Sequence, residues 1–138
     1  MEFDSERYLG PFHRLLGIEV VSAEDGRAEV TLELEQHHSS MEDRLVAQGG
    51  VVFTLADYAG GLALVSEVQR HIPTVDMRID YLRPATGDLR AVGEVLRNGS
   101  GTGVTDVLVE NGDGEAVATA RGVFKTGEMT TGSPWKGR

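Results

Sequence analysis

The run AQGGVVFTLADYAGGLALVS, residues 47–66, constrains this chain more than any other part of it. An almost unbroken series of apolar and small side chains of that length is too long for a strand and reads as a helix over 49–68. Apolar groups fall on every side, so the helix is expected to be buried all round inside whatever the rest of the chain builds. One carboxylate, Asp57, stands in its middle. A buried charge is costly unless something pairs with it or uses it. Glycine pairs flank it, Gly49-Gly50 and Gly60-Gly61. The second pair costs the helix about 1 kcal/mol per residue relative to alanine, which points to a close approach, by backbone or ligand, just after Asp57. The run could reach across a bilayer, but Asp57, four glycines and the lack of flanking basic residues argue against a membrane span.

What surrounds this helix must supply a sheath. Residues 5–16 read as broken helical pieces, with Gly10-Pro11 interrupting them and Pro11 opening a second turn. Residues 18–22 are a short β-rich run. Across 27–35, Ala28, Val30, Leu32 and Leu34 alternate with Glu29, Thr31, Glu33 and Glu35, the pattern of a half-buried strand. Asp25-Gly26 supplies the turn between the two. Residues 36–47 are polar and irregular. Beyond the helix, Val75, Met77, Ile79 and Tyr81 alternate with Asp76, Arg78 and Asp80, and Pro84 closes that strand. Three further strands are expected over 89–97, 104–110 and 115–125, joined through NGSGTG and NGDG turns. Short links make the last four strands an antiparallel meander, and wrapping such a sheet around the apolar helix is the economical way to bury it. The fold class is α+β. One domain is expected over 1–126, with a loose polar tail over 127–138 in which Trp135 is the group able to pack.

Charge and composition narrow the partners. Thirteen basic residues against 22 acidic ones give a formal charge of −9, which disfavours nucleic acid. With no cysteine, neither disulfides nor thiolate chemistry is available. Residues 1–6 carry acids rather than a basic leader region, so a cytoplasmic protein is expected.

Two features invite a chemical reading, each with a plain alternative. Unpaired N–H groups at the start of the long helix, with Gly49 and Gly50 opening the approach, could stabilise an oxyanion; the same glycines could serve tight helix–sheet packing. Asp57 could be a base or nucleophile with a raised pKa, or a structural carboxylate held by a buried partner. Eight residues separate Gly49 from Asp57, about 12 Å along a helix, so one helix cannot bring both to one carbonyl. A second protomer, placed antiparallel by a two-fold axis, can. Other candidates are weaker. His37-His38 is an adjacent pair ill suited to chelating one metal, and is read as loop. GSGTG precedes a strand rather than a helix, so it is read as a hairpin and not a phosphate loop.

The segments EDRLVAQGGVVFTLADYA, TVDMRIDYLRPA and ATARGVF together resemble the hotdog-fold superfamily, in particular the phenylacetate-pathway (PaaI-like) branch of acyl-CoA thioesterases, over residues 12–125. The resemblance implies an antiparallel sheet wrapped around a long central helix, assembled as a homodimer or homotetramer. It implies hydrolysis of an acyl-CoA or aryl-CoA thioester, with no metal and no cofactor beyond the coenzyme A of the substrate. Asp57 matches the catalytic carboxylate of that family. Gly49 matches the glycine whose N–H binds the thioester oxygen from the other protomer, and Thr74 a position that holds the water or orients the carboxylate. The chain departs from the pattern where the family has histidine before the two glycines and this sequence has Gln48. It departs again at Glu42, where the family has asparagine, and at Leu45, where it has glycine. Gln48 can still donate to a carbonyl but cannot titrate. Arg83, Arg90 and Arg97 are the candidates for the coenzyme A phosphates. The alternative is a non-catalytic acyl-CoA-binding hotdog protein, with Gln48 and Glu42 marking lost chemistry. A hydratase would need a histidine near the helix start.

Overall fold

The computed structural model describes residues 3–136. A 3-10 turn, Ser5–Tyr8, and a short helix α1, Pro11–Leu16, lead into strands β1, Ile18–Glu24, and β2, Arg27–Leu32. The long helix α2, Gly49–Val68, follows, and then β3, Thr74–Tyr81, β4, Leu89–Asn98, β5, Thr102–Glu110, and β6, Ala116–Lys125. The six strands form one antiparallel sheet in the order β1-β2-β4-β5-β6-β3. This is the hotdog arrangement, a curved sheet wrapped around α2. Bulges in β1, β4 and near the start of β3 add the local twist that lets the sheet curl.

The expected meander holds for β4, β5 and β6 only. β3 pairs with β6 at the far edge, with Ile79 opposite Ala120, and does not touch β4. Residues 82–88 instead carry the chain from the β3 edge across to β4. Seven extended residues reach about 23 Å, against roughly 14 Å for the three strand spacings to be crossed. Their short length therefore did not compel a hairpin. The crossing is pinned where Ala47 N–H donates to the Ala85 carbonyl (2.9 Å) and Leu34 N–H to the Asp88 carboxylate (3.1 Å). That last bond also replaces β-pairing after Leu32, so β2 ends short of the expected residue 35.

By length and composition α2 could cross a membrane, yet it is a core helix here. Val52, Leu55, Ala56, Ala59, Leu62 and Ala63 are buried against the sheet. Burying each large aliphatic side chain is worth roughly 1.5–3 kcal/mol. Burial all round is not what the single chain shows. Gly50 is exposed, and Phe53, Thr54, Asp57 and Gly61 are half-buried, so one stripe of the helix lies open. The sheet is the close neighbour that Gly60-Gly61 implied. A Cβ on Gly60 would fall 2.6 Å from Thr105 Oγ1, and one on Gly61 would fall 3.2 Å from the Phe124 ring. From the sheet side, a Cβ on Gly93 would lie 2.4 Å from the Ala59 carbonyl oxygen. Those glycines set the helix–sheet distance.

Candidate active site

The start of α2 is held from three directions. Gln48 N–H donates to the His38 carbonyl (2.8 Å), and Gln48 Oε1 caps the helix by accepting from Gly50 N–H (2.6 Å). Tyr81, at the end of β3, donates from its hydroxyl to the Gly49 carbonyl (2.8 Å). Val51 N–H turns back to the Gln48 carbonyl. Among the described residues, Gly49 N–H is left without a partner, at the positive end of a twenty-residue helix dipole. It opens on a cavity of about 410 Å³ shared with Tyr81, Arg83 and Ala85. The amide nitrogen of Gln48 is uncommitted among the described residues, because only its oxygen is used for the cap.

His38, expected to be loop, is what anchors this start. It is 1% exposed; its Nδ1 accepts from Glu35 N–H (2.9 Å), which places the proton on Nε2, donated to the Leu16 carbonyl (2.7 Å). One neutral imidazole thus ties the end of α1 to the loop that delivers Gln48. Its neighbour His37 is exposed, beside Glu35.

Two turns along α2, Asp57 looks into a different cavity, of about 210 Å³. Thr74 Oγ1, at the first residue of β3, donates to Asp57 Oδ1 at 2.7 Å. Oδ2 has no protein donor among the described residues. Burial pushes the Asp57 carboxyl above the ordinary carboxylate range, with the Thr74 hydrogen bond and nearby His13 pulling the other way. His13 lines the same cavity, its ring 4.2 Å from that of Tyr58 and its Nδ1 accepting from Gly10 N–H (3.1 Å). Burial lowers its pKa, and the Asp57 charge opposes that shift. Tyr58 is 6% exposed and its hydroxyl has no partner among the described residues; burial, then Glu6, raises its pKa.

The structure therefore brings Asp57 and Thr74 together and gathers Gln48 and Gly49 elsewhere. The two cavities share no residue, and the open stripe of α2 runs between them. Of the three arginines, Arg83 reaches the Gly49 cavity while donating to the Ala116 carbonyl (2.6 Å). Arg97 is exposed beside the Gly99 turn. Arg90 is spoken for. On the outer sheet face it donates twice to Glu29 (2.8 and 3.0 Å) and once to Glu110 (2.8 Å), which removes the reason to assign it to a phosphate. Sequence reasoning missed His13, Tyr8, His71 and Trp135 as cavity residues. Pro11 signalled the helix that carries His13, but nothing local to GPFHRLL says it faces a residue 44 positions on.

Comparison with known proteins agrees with this frame. The family model for the thioesterase superfamily matches residues 46–118. A protein of Halobacterium salinarum that carries an esterase name is 36% identical over 124 residues, covering 80% of each chain. The medium/long-chain acyl-CoA thioesterase YigI of Escherichia coli is 29% identical, over 87% of this chain and 88% of its own. The acyl-coenzyme A thioesterase PaaI of Escherichia coli is 33% identical over 79% of this chain and 77% of its own. The solved structure of that PaaI superposes with a TM-score of 0.78, covering 88% of this chain and 87% of PaaI at 29% identity.

Proposed function

This chain belongs to the thioesterase superfamily, in its PaaI-like branch, and is a thioester hydrolase; from that premise we propose that it cleaves acyl-CoA thioesters in a site shared by two protomers. The observation that carries the proposal is the Asp57–Thr74 pair. Thr74 fixes one carboxylate oxygen and leaves the other free in a half-dry cavity, where a base of raised pKa is most effective. The oxyanion donor, Gly49 N–H, lies about 12 Å away along the same helix and so serves the Asp57 of the partner protomer.

In this reading the thioester carbonyl oxygen lies against Gly49 N–H, and the Gln48 amide nitrogen adds a second donor. Water attacks the carbonyl carbon and gives its proton to the free oxygen of Asp57. The tetrahedral oxyanion is held by the Gly49 N–H and the helix dipole, a type of contact worth about 2.7–4 kcal/mol in a dry site. Collapse breaks the C–S bond, and the coenzyme A thiolate leaves with a proton returned from Asp57 or taken from solvent. In this reading Arg83 and Arg97 are the candidates to meet the phosphates of coenzyme A, Arg83 by turning from Glu115. The chemistry asks for no metal and no redox group.

Thiol release measured over a panel of acyl-CoAs tests this directly. Turnover of at least one acyl-CoA by the parent protein, lost by a hundredfold or more in Asp57→Asn, is the expected result. Binding without turnover across the panel would overturn it.

A further inference from the structure

The cavity beside Asp57 is lined in part by segments that flank the sheet-and-helix body. Leu62 and Val65 of α2, together with Ile72 and with Phe124 of β6, give it an apolar lining, which Asp57, Thr74, His13 and His71 share. Tyr8, from the N-terminal 3-10 turn, and Trp135, from the C-terminal segment, complete it. The two aromatic groups differ in how they are held. Tyr8 is braced by two rings, stacked on Phe3 (5.5 Å, 10° between planes) and tilted against His71 (4.8 Å). Trp135 has no ring partner among the described residues and is 49% exposed. Its backbone is nevertheless set in a defined turn. Ser133 N–H donates to the Thr130 carbonyl (3.1 Å), Trp135 N–H to Ser133 Oγ (3.2 Å) and Lys136 N–H to the Ser133 carbonyl (3.0 Å).

A large indole lining a partly apolar cavity, with about half its surface still to be covered, is a group with burial left to gain. At about 210 Å³ the cavity is smaller than the roughly 300–1,000 Å³ of sites that enclose a whole drug-sized ligand. It fits the acyl portion of a substrate and not its nucleotide.

We infer that Trp135 is a specificity-determining residue, whose indole covers the distal end of an apolar acyl chain bound with its thioester at Asp57. The inference rests on the hydrolase reading above and adds the acyl class, a chain of several methylenes rather than a two- or four-carbon group. Each methylene taken from water is worth close to fourfold in affinity, so losing contact with three of them changes selectivity by more than tenfold. Shorter acyl groups end before the indole and do not register its loss.

Trp135 is the one tryptophan of the chain, so its emission reports on this position alone. The parent protein is titrated with S-decyl-CoA, a thioether that cannot be hydrolysed, and with S-ethyl-CoA and free coenzyme A as controls. Saturable change of emission with the decyl compound, and little with the other two, is expected. In parallel, kcat/KM is measured for butanoyl-CoA and decanoyl-CoA in the parent, Trp135→Ala and Trp135→Phe. Trp135→Ala is expected to lose at least tenfold on decanoyl-CoA while keeping butanoyl-CoA within twofold, and Trp135→Phe to recover most of the loss. A parent enzyme that hydrolyses decanoyl-CoA, with Trp135→Ala equal to it on both substrates or with emission unmoved by an inhibitory dose of S-decyl-CoA, overturns the inference while leaving the hydrolase reading intact. Absence of thiol release from every acyl-CoA by the parent overturns both.

Discussion

Asp57 carries a thermodynamic load as well as the proposed chemistry. Its carboxyl is raised above its ordinary range, chiefly by burial, so the folded chain holds that proton more tightly than the unfolded chain does. Between the ordinary carboxylate pKa and the folded one, folding takes up a proton, and stability falls as pH rises through that window. Asparagine keeps the Thr74 hydrogen bond and carries no such cost. Asp57→Asn is therefore expected to be nearly inactive yet to melt higher than the parent at neutral pH, with the gap closing as pH drops below the ordinary carboxylate range. Paired melting curves at acid and neutral pH check this, and an equal or lower melting temperature at neutral pH counts against it. Gln48 likewise has a structural contact beside its proposed catalytic one. Its oxygen caps α2 through Gly50 N–H, so Gln48→Ala should cost about 0.5–2 kcal/mol of stability by loss of the cap alone. Gln48→His restores an acceptor through Nδ1 and should keep or raise turnover. Denaturant melts separate the cap from the catalytic contribution, and equal turnover in Gln48→Ala and the parent removes the second. Asp57 and Gly49-Gly50 were legible as candidates because each stands out within a local run. His13 and His38 were not, because their partners, Tyr58 and the Leu16 carbonyl, are brought to them only by the fold.

At the scale of elements, sequence periodicity located the strands and α2 well, since alternation and an uninterrupted apolar run are each written within a few residues. The strand order was harder to read. β3 ends in Tyr81 and the chain passes through Pro84 and Gly87, and nothing in those seven residues distinguishes a hairpin from a crossing to β4. The Tyr81 hydroxyl on the Gly49 carbonyl goes with that order: β3, paired to β6, ends over the start of α2. The glycine pair after Asp57 was legible as a close approach but silent on the identity of the neighbour. That neighbour is the sheet, and the point at which backbone meets backbone most closely is Gly93 under Ala59. A methyl group there has backbone rather than a flexible side chain to displace, so helix and sheet must separate. Gly93→Ala is expected to destabilise the fold by about 1–3 kcal/mol, the usual cost of overpacking. Urea unfolding measures it, and a stability within 0.5 kcal/mol of the parent would mean that α2 is not held at this distance.

For the whole molecule, the open stripe of α2 and the β3 edge point the same way. Phe53, Thr54 and Asp57 lie half-buried in the single chain, and β3 carries unpaired backbone groups along one side. An uncovered strand edge of this kind is a template for pairing with another chain. A two-fold dimer through β3 would cover the stripe and bring the Gly49 cavity of one protomer to the Asp57 cavity of the other. Light scattering that finds only the 14.9 kDa monomer at micromolar concentration removes this assembly and the shared site with it. Mixing two inactive variants gives the sharper measurement. Asp57→Asn removes the base, and Gly49→Val crowds the oxyanion N–H against Tyr81, since a Cβ on Gly49 already sits 3.4 Å from the Tyr81 hydroxyl. Each homodimer should be folded and nearly inactive. In a mixed dimer with shared sites, one site carries both lesions and the other carries neither. Equal amounts pairing at random make about half the dimers mixed, each with one intact site of two, so about a quarter of the parent activity should return. Sites confined to one protomer would each keep a lesion in every combination. Co-refolding the two variants and assaying thiol release therefore decides between the two geometries, and no recovery above either homodimer would rule the shared site out.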